Sequence, residues 1–515
     1  MKRNYINTRF PRESVRKLRT FALQSSEIFR SPSASRSRRF RAHLCRSHKR
    51  TLQTSQSDED AALPSEAAAE MRSGGSRSYQ TSVIDGQAEP SVRSFAPILC
   101  AGHMAKRLAI VGAGAAGLLA ARKFFEYGGF EISVFEQSEN IGGTWVYSSD
   151  TNVHSSLYEK MTTNLPKEVM YYPGSPFRQE TNGESFVPHQ VVRQYLEDYA
   201  KNIRHLIKFN HTVLKVERID EKWSVTTQAS SEHPKIEVFD VVFVCSGHYT
   251  DPSYPLTKHE FSGRSLHSHN YRRAEYYKGQ TVAVIGAGNS GMDISLQVSA
   301  EAEKVYLLHS HAPKYSVLPK NIEERKSLAD FGDDGNQLLL TDGSTIDRVD
   351  TVIFCTGYYY SFPFLDESIV HMTNRGTVVE PLVLHMVHKD FPTSLFFFGI
   401  PFNLVPFMLF DYQARFALSL INGTGVLDEE EIEKFEVKRS EGLVEKFGRK
   451  KECHYIGKAQ WDLLKTYAKL GHFEYDTPQK VADMYIHTVK QRAANVVTYK
   501  KMKFGEDGEN MVVFE

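Results

Sequence analysis

From residue 106 the chain alternates short apolar runs with amphipathic stretches, and the run Leu108–Val111 is uniformly apolar, as expected of a strand buried on both faces. A glycine-rich turn follows. The next dozen residues, AAGLLAARKFF onward, carry apolar positions at helical spacing, and Glu131–Phe135 reads as a second strand. Strand, turn, helix and strand in this order predict a βαβ unit. Further strands are predicted at Trp223–Thr227 and Val238–Cys245, and KGQTVAVIGAGNSGMDISLQVSA then repeats the strand, turn and helix. A strand at Lys304–His309, a small meander over Gln337–Asp350 and an apolar strand at Val349–Cys355 complete a second unit. Beyond it, LFFFGI from Leu395 predicts a strand, and a helix is expected from Asp411.

The fold class expected from this pattern is α/β, with two nested Rossmann-like dinucleotide-binding domains. The first domain occupies 104–275 and 351–425, the second is inserted at 276–350, and a helical cap spans 426–515. Residues 1–103 read differently. Their first fifty residues hold fifteen Lys or Arg against two acidic residues, and the polar, Ala/Gly/Ser-rich stretch that follows predicts disorder. The leader is read either as a mitochondrial transit peptide or, preferred, as an extension upstream of a start at Met104.

Composition narrows the classes. With 515 residues, 41% hydrophobic, 24% charged and a formal net charge of +1, the chain fits a soluble multi-lobed protein and gives no general case for nucleic acid. No apolar run approaches the roughly 20 residues of a membrane helix, so no transmembrane segment is expected. Five widely spaced cysteines without a CxxC pair support neither a disulfide framework nor a metal site, and a cytoplasmic setting is the expectation. The Asn-x-Thr triplets at Asn210 and Asn422 are read as chance matches to a glycosylation acceptor.

The chemistry lies in the turns. Gly112-Ala113-Gly114-Ala115-Ala116-Gly117 follows a strand and opens a helix. Gly112 permits the tight turn, Gly114 lets a pyrophosphate approach the backbone, and Gly117 brings helix and strand together. The helix N-terminus, with roughly half a positive charge, attracts phosphate. Glu136, at the end of the next strand, is placed to accept hydrogen bonds from a ribose. Gly286, Gly288 and Gly291 repeat the fingerprint, with Asn289 and Ser290 as further donors at the helix start. Asp293 reads equally as a cofactor contact or a helix-dipole partner. Two turns imply one bound and one exchanging dinucleotide, the usual arrangement for hydride transfer from nicotinamide to flavin. The strand after the second turn supplies His309, His311 and Lys314 but no arginine, so NADPH over NADH is an expectation carried by weak cations.

Between the two turns, Phe261-Ser-Gly263-Arg-Ser-Leu-His267-Ser-His-Asn-Tyr271 resembles the FxGxxxHxxxY pattern of the flavin-containing monooxygenases that oxygenate nitrogen and sulfur. Gly142-Gly143-Thr144-Trp145, Thr162-Thr163-Asn164-Leu165-Pro166, Cys355-Thr356-Gly357-Tyr358 and Gln413-Ala414-Arg415 extend the likeness over roughly 104–423, nearest to arthropod members related to senecionine N-oxygenase. The resemblance implies FAD on the first turn, NADPH on the second, molecular oxygen as co-substrate, and a flavin C4a-hydroperoxide that oxygenates a small amine or sulfide. It implies flavin contacts at Gly143, Thr144, Trp145 and Thr163, a catalytic amide at Asn164, and Gln413 at the flavin rim. Read from residue type alone, Asn164 is equally a turn former beside Pro166, and Trp145 a buried filler. His267 and Tyr271 are expected to organise the junction between lobes. Two departures stand out: the missing arginine near His311, and Cys355 in place of a smaller residue.

Rival readings are few. A flavin disulfide reductase would need a cysteine pair soon after the first βαβ unit, where residues 142–178 contain none. A Baeyer–Villiger oxygenase shares the cofactors but fits the 261–271 pattern less well, and a non-catalytic FAD-binding protein would not need both turns intact. A homodimer is compatible with the sequence without being indicated by it.

Overall fold

Two mainly parallel sheets, each built around one glycine turn, organise the chain; the first carries an antiparallel edge at 382–388. The computed structural model describes residues 105–514 except 180, 231, 312–316, 448–453 and 508–509. The predicted disordered leader and Lys314 therefore lie outside the described residues.

The first unit runs from β1 (Lys106–Val111) through α1 (Ala115–Tyr127) to β2 (Phe130–Phe135), with β1 and β2 paired in parallel from Lys106 opposite Phe130 to Val111 opposite Phe135. β3 (Val241–Val244) pairs on the other side of β1. The second unit comprises β4 (Arg264–His267), β5 (Thr281–Ile285), α2 (Asn289–Ser299), β6 (Lys304–Leu308), β7 (Ile322–Arg325) and β8 (Thr351–Phe354). β9 (Leu395–Phe397) and α3 (Pro406–Ile421) return the chain to the first unit, and α4 (Gln479–Ala494) lies near the C-terminus. The first sheet has the order 382–383, 387–388, β9, β3, β1, β2, 207–208, and the second the order β7, β6, β5, β8, β4. Both keep their helices on the connections, as right-handed crossovers between parallel strands require.

Hydrophobic burial holds each layer. Leu108, Ile110, Leu118, Leu119 and Phe124 are fully buried between β1 and α1. At roughly 1.5–3 kcal/mol for each large side chain removed from water, this layer is a major stabilising contribution. α1 packs against α3, where Lys123 meets Asp411 at 2.8 Å and Arg415 meets the other oxygen of Asp411 at 2.9 Å. A buried carboxylate with two cationic partners is tolerated where an unpaired one would not be.

Several boundaries differ from the sequence reading. The second sheet includes strands at 264–267 and 351–354, so it reaches beyond the 276–350 span on both sides. The predicted strand Val238–Cys245 is two strands, 235–239 and 241–244, in different sheets. Asp240 makes the break, accepting a hydrogen bond from the Arg107 backbone N–H at 2.8 Å. The meander is a three-stranded antiparallel sheet that begins earlier, at Leu328–Phe331. α3 starts at Pro406 rather than Asp411, because proline is well suited to the first helical position. The C-terminal region is helical as expected but ends in a hairpin, Lys503–Asp507 with Asn510–Phe514. The two Asn-x-Thr sites have conformational roles: Asn210 adopts φ 55° before the strand 211–219, and Asn422 caps α3 and donates to the Tyr127 hydroxyl.

Candidate functional site

Each glycine turn is built against the carbonyl of the cysteine that follows the neighbouring strand. A Cβ on Gly112, at φ 105°, would lie 2.6 Å from the Cys245 oxygen, and a Cβ on Gly286, at φ 106°, would lie 2.5 Å from the Cys355 oxygen. Gly117 and Gly291 are tighter still, with Cβ positions 2.0 Å from the Gly112 oxygen and 1.8 Å from the Gly286 oxygen. No side chain fits at any of these four positions without backbone movement. Cys245 and Cys355 occupy equivalent places in the two units, both buried, and burial pushes the Cys355 thiol up to about 12 and the Cys245 thiol higher still. They are packing residues with no thiolate to offer.

Both helices open without a capping side chain, α1 after Gly114 and α2 after Gly288, so among the described residues the first-turn amides have no side-chain partner. Uncapped amides at the positive end of a helix are what a phosphate needs. The surroundings differ. Over the first turn, Glu136 accepts from the Ala113 N–H at 2.9 Å with one oxygen and from Ser138 N–H and hydroxyl at 2.9 Å with the other. The carboxylate is buried and braces the turn, while spare lone pairs remain for a ribose. Gly142 N–H donates to the Ala113 oxygen, and Gly143, at φ 55°, approaches so closely that its Cβ would meet the Gly114 Cα at 2.9 Å. Gly143 is therefore required by backbone packing and Gly142, at φ 126°, by its backbone conformation. Ala115 accepts from the Tyr172 hydroxyl at 2.7 Å, and Ala116 is buried. The second turn is open. Gly288, Asn289 and Ser290 are exposed, and a Cβ on Gly288 would meet nothing within 4 Å.

A cavity of about 1350 Å³ runs from this second turn into the first lobe. Gly286, Gly288, Asn289, Ser290, Asp293, Thr144 and Asn164 line it. Asn164 is half-buried, and among the described residues its amide makes no hydrogen bond. Thr144 bonds to the Ser156 hydroxyl at 2.8 Å. Thr163, Trp145 and Gln413, expected at the flavin, do not line this cavity. Thr163 is buried and accepts from the Val187 N–H at 3.1 Å; Trp145 packs against the main core; Gln413 is fully buried and accepts from the Gly399 N–H at 3.1 Å.

Asp293 is occupied by protein. Its carboxylate accepts from Tyr158, from Gln297 at 3.3 Å and from Lys500 at 2.9 Å. Burial, then the adjacent carboxylate, holds the Tyr158 hydroxyl firmly protonated and therefore a donor. The site thus joins the first lobe, α2 and the C-terminal segment. On the far side His309 is buried and paired with Glu324 at 3.0 Å, leaving His311 exposed on the cavity wall. The 261–271 motif forms β4 and the bend after it. His267 is buried, its ring pushed down to about 4 by burial, and accepts from the His269 N–H at 3.1 Å; Tyr271 stacks on Tyr277 and meets Tyr158 edge-on. Sequence reasoning missed Tyr158, Arg492 and Lys500, which no local motif marks and which lie far from the turns in sequence.

Residues 105–316 and 310–473 match the FMO-like family, described as flavin-binding monooxygenase-like. The chain belongs to this family. The monooxygenase is 33% identical over 384 residues to flavin-containing monooxygenase FMO GS-OX5 of Arabidopsis thaliana, an overlap of 69% of this chain and 83% of that one. Among solved structures it is similar to S-allyl-L-cysteine S-oxygenase from Allium sativum, with a TM-score of 0.69 and 31% identity over 77% of this chain and 94% of that one. It is also similar to Tmm from Pelagibacter sp. strain HTCC7211, with a TM-score of 0.67 and 27% identity over 79% and 95% of the two chains. The monooxygenase is an FAD- and NADPH-dependent flavoprotein with nested Rossmann-like domains. Among its described residues no helix is long and apolar enough to cross a membrane.

Proposed function

We propose that the monooxygenase oxygenates soft nitrogen or sulfur atoms of small molecules, with FAD on the turn 112–117, NADPH on the turn 286–291, and Asn164 as the side chain nearest the chemistry. The observation that carries this reading is the amide of Asn164, without a hydrogen bond among the described residues, on the wall of a cavity that begins at the second turn. An amide offers a donor and an acceptor at once, so it can order two neighbouring groups without moving a proton of its own. The apolar and aromatic members of the cavity lining, Leu157, Met161, Tyr249, Phe402 and Tyr455, suit a neutral amine or a sulfide. Flavin reduced by the nicotinamide coenzyme supplies the oxygen activation; the chain supplies binding, orientation and exclusion of water. Helix amides hold the phosphates, Glu136 braces the first turn and Thr144 shapes the wall beside Asn164. The sulfur substrate in the name of the Allium neighbour is consistent with a sulfide here.

Asn164→Ser tests the assignment. Hydrogen peroxide released per NADPH consumed should rise several-fold while FAD content stays at wild-type level; unchanged coupling removes Asn164 from the chemistry. Panels of sulfides, tertiary amines and ketones assayed for product distinguish this reading from ketone oxygenation, since turnover confined to ketones contradicts it.

A further inference from the structure

The coenzyme phosphates need a cation, and the segment that ordinarily supplies an arginine carries His309, His311 and Lys314 instead, the last outside the described residues. His309 is committed to Glu324. The cavity wall contains Lys160, Lys500 and Arg492. Lys160 is paired with Glu275 at 2.6 Å and Lys500 with Asp293 at 2.9 Å. Arg492 differs: among the described residues no carboxylate lies within ion-pair distance of it. Its guanidinium, half-buried, donates to the Asn289 side-chain oxygen at 2.5 Å and lies 5.9 Å from the centre of the Tyr499 ring.

Asn289 is the first residue of α2, so this cation, without a carboxylate partner among the described residues, stands at the positive end of the helix that opens the second turn. Two positive features side by side are unfavourable unless an anion lies between them. The negative end of Arg492's own helix offsets only part of that repulsion. Resting on the assignment of the second turn to the coenzyme, we propose that Arg492 is the phosphate-binding cation of the NADPH site, delivered by the C-terminal helix, and that it clamps the diphosphate bridge against the α2 amides. Its position at Asn289, next to Gly288 and Ser290, favours the bridge over the 2′-phosphate, whose usual partner sits at the end of the second strand. A planar guanidinium can hold two phosphate oxygens at once, and the open face of Gly288 leaves room for them.

Calorimetric titration of the yellow holoenzyme with NADP⁺ and with NAD⁺ tests this. Arg492→Gln should weaken both nucleotides by about tenfold or more, with FAD content unchanged, and Arg492→Lys should recover most of the loss. A loss confined to NADP⁺ would move the contact to the 2′-phosphate, and affinities within twofold of wild type would refute a phosphate role altogether; either overturns the proposal. On the wild-type holoenzyme, modification of Arg492 by phenylglyoxal, mapped by mass spectrometry, should be suppressed by NADP⁺ and by inorganic pyrophosphate. Equal modification with and without them would also overturn it, even if the glutamine variant fails to fold. Gly288→Asp separates the underlying assignment: if that variant binds NADP⁺ normally, the second turn is not the coenzyme site, whatever Arg492 does.

Discussion

The two glycine turns share a skeleton and differ in their covering. In both, the first and third glycines are pressed against carbonyl oxygens at nearly the same distances, and a buried cysteine follows the neighbouring strand. The first turn is then overlaid by Gly142-Gly143 and tied to a buried Glu136, whereas Gly288, Asn289 and Ser290 of the second stand open on a large cavity. A covered turn suits a cofactor that stays; an open one suits a coenzyme that comes and goes. Identical backbone fingerprints can thus serve different residence times, and what surrounds the turn decides which.

The largest expected effects come from filling the shared skeleton. Gly117→Ala and Gly291→Ala each place a Cβ about 2 Å from a backbone oxygen, where something must shift. A loss above about 4 kcal/mol is expected from such overpacking. Flavin absorbance per protein and thermal unfolding would separate the turns: Gly117→Ala should be colourless, whereas Gly291→Ala should retain some flavin if the lobes fold separately. Equal flavin loss would weaken the contrast.

Acid should loosen the first lobe. The Val379 N–H donates to Nε2 of buried His454, which places that ring's proton on Nδ1, 2.9 Å from Nδ1 of His385. Burial, with Arg439 and His248, pushes His454 down to about 3, and burial also lowers His385. Above pH 6.5 both states are neutral and nothing is lost. Below it the unfolded chain takes up protons that the folded chain refuses, so His454 alone lowers stability by about 1.4 kcal/mol per pH unit until about pH 3, and His385 adds a loss of the same sign. Urea unfolding at pH 7 and pH 5 should show this loss, reduced in His454→Gln; an unchanged slope would contradict it.

Much of this was legible beforehand. Both βαβ units were readable because an apolar strand, a glycine turn and a helix of 3.6 periodicity coincide, and residues 112–117 and 286–291 hold the expected conformations. The strand 264–267 was not, because RSLH at an exposed edge has no apolar alternation. Thr163, Trp145 and Gln413 lie off the cavity of the second turn, and their flavin contacts are proposed from the resemblance alone, since side-chain direction within a loop or helix depends on packing that sequence adjacency does not encode. Arg492 and Lys500 reach the site only through tertiary docking of the C-terminal segment.

A smaller effect concerns Asp293. Because its oxygens are held by Tyr158, Gln297 and Lys500, Asp293→Asn should cost about 1–3 kcal/mol of stability while NADP⁺ affinity changes little. Affinity lost without a fall in melting temperature would return Asp293 to the coenzyme.

The contrast between the turns is tested most directly by titrating NADP⁺ into purified Gly288→Asp. The position has ordinary backbone angles and empty space around its Cβ, so the protein should fold and remain fully yellow, while a carboxylate facing the phosphate site should weaken NADP⁺ binding by about a hundredfold. Wild-type affinity in that variant, or loss of FAD with affinity preserved, would contradict the account.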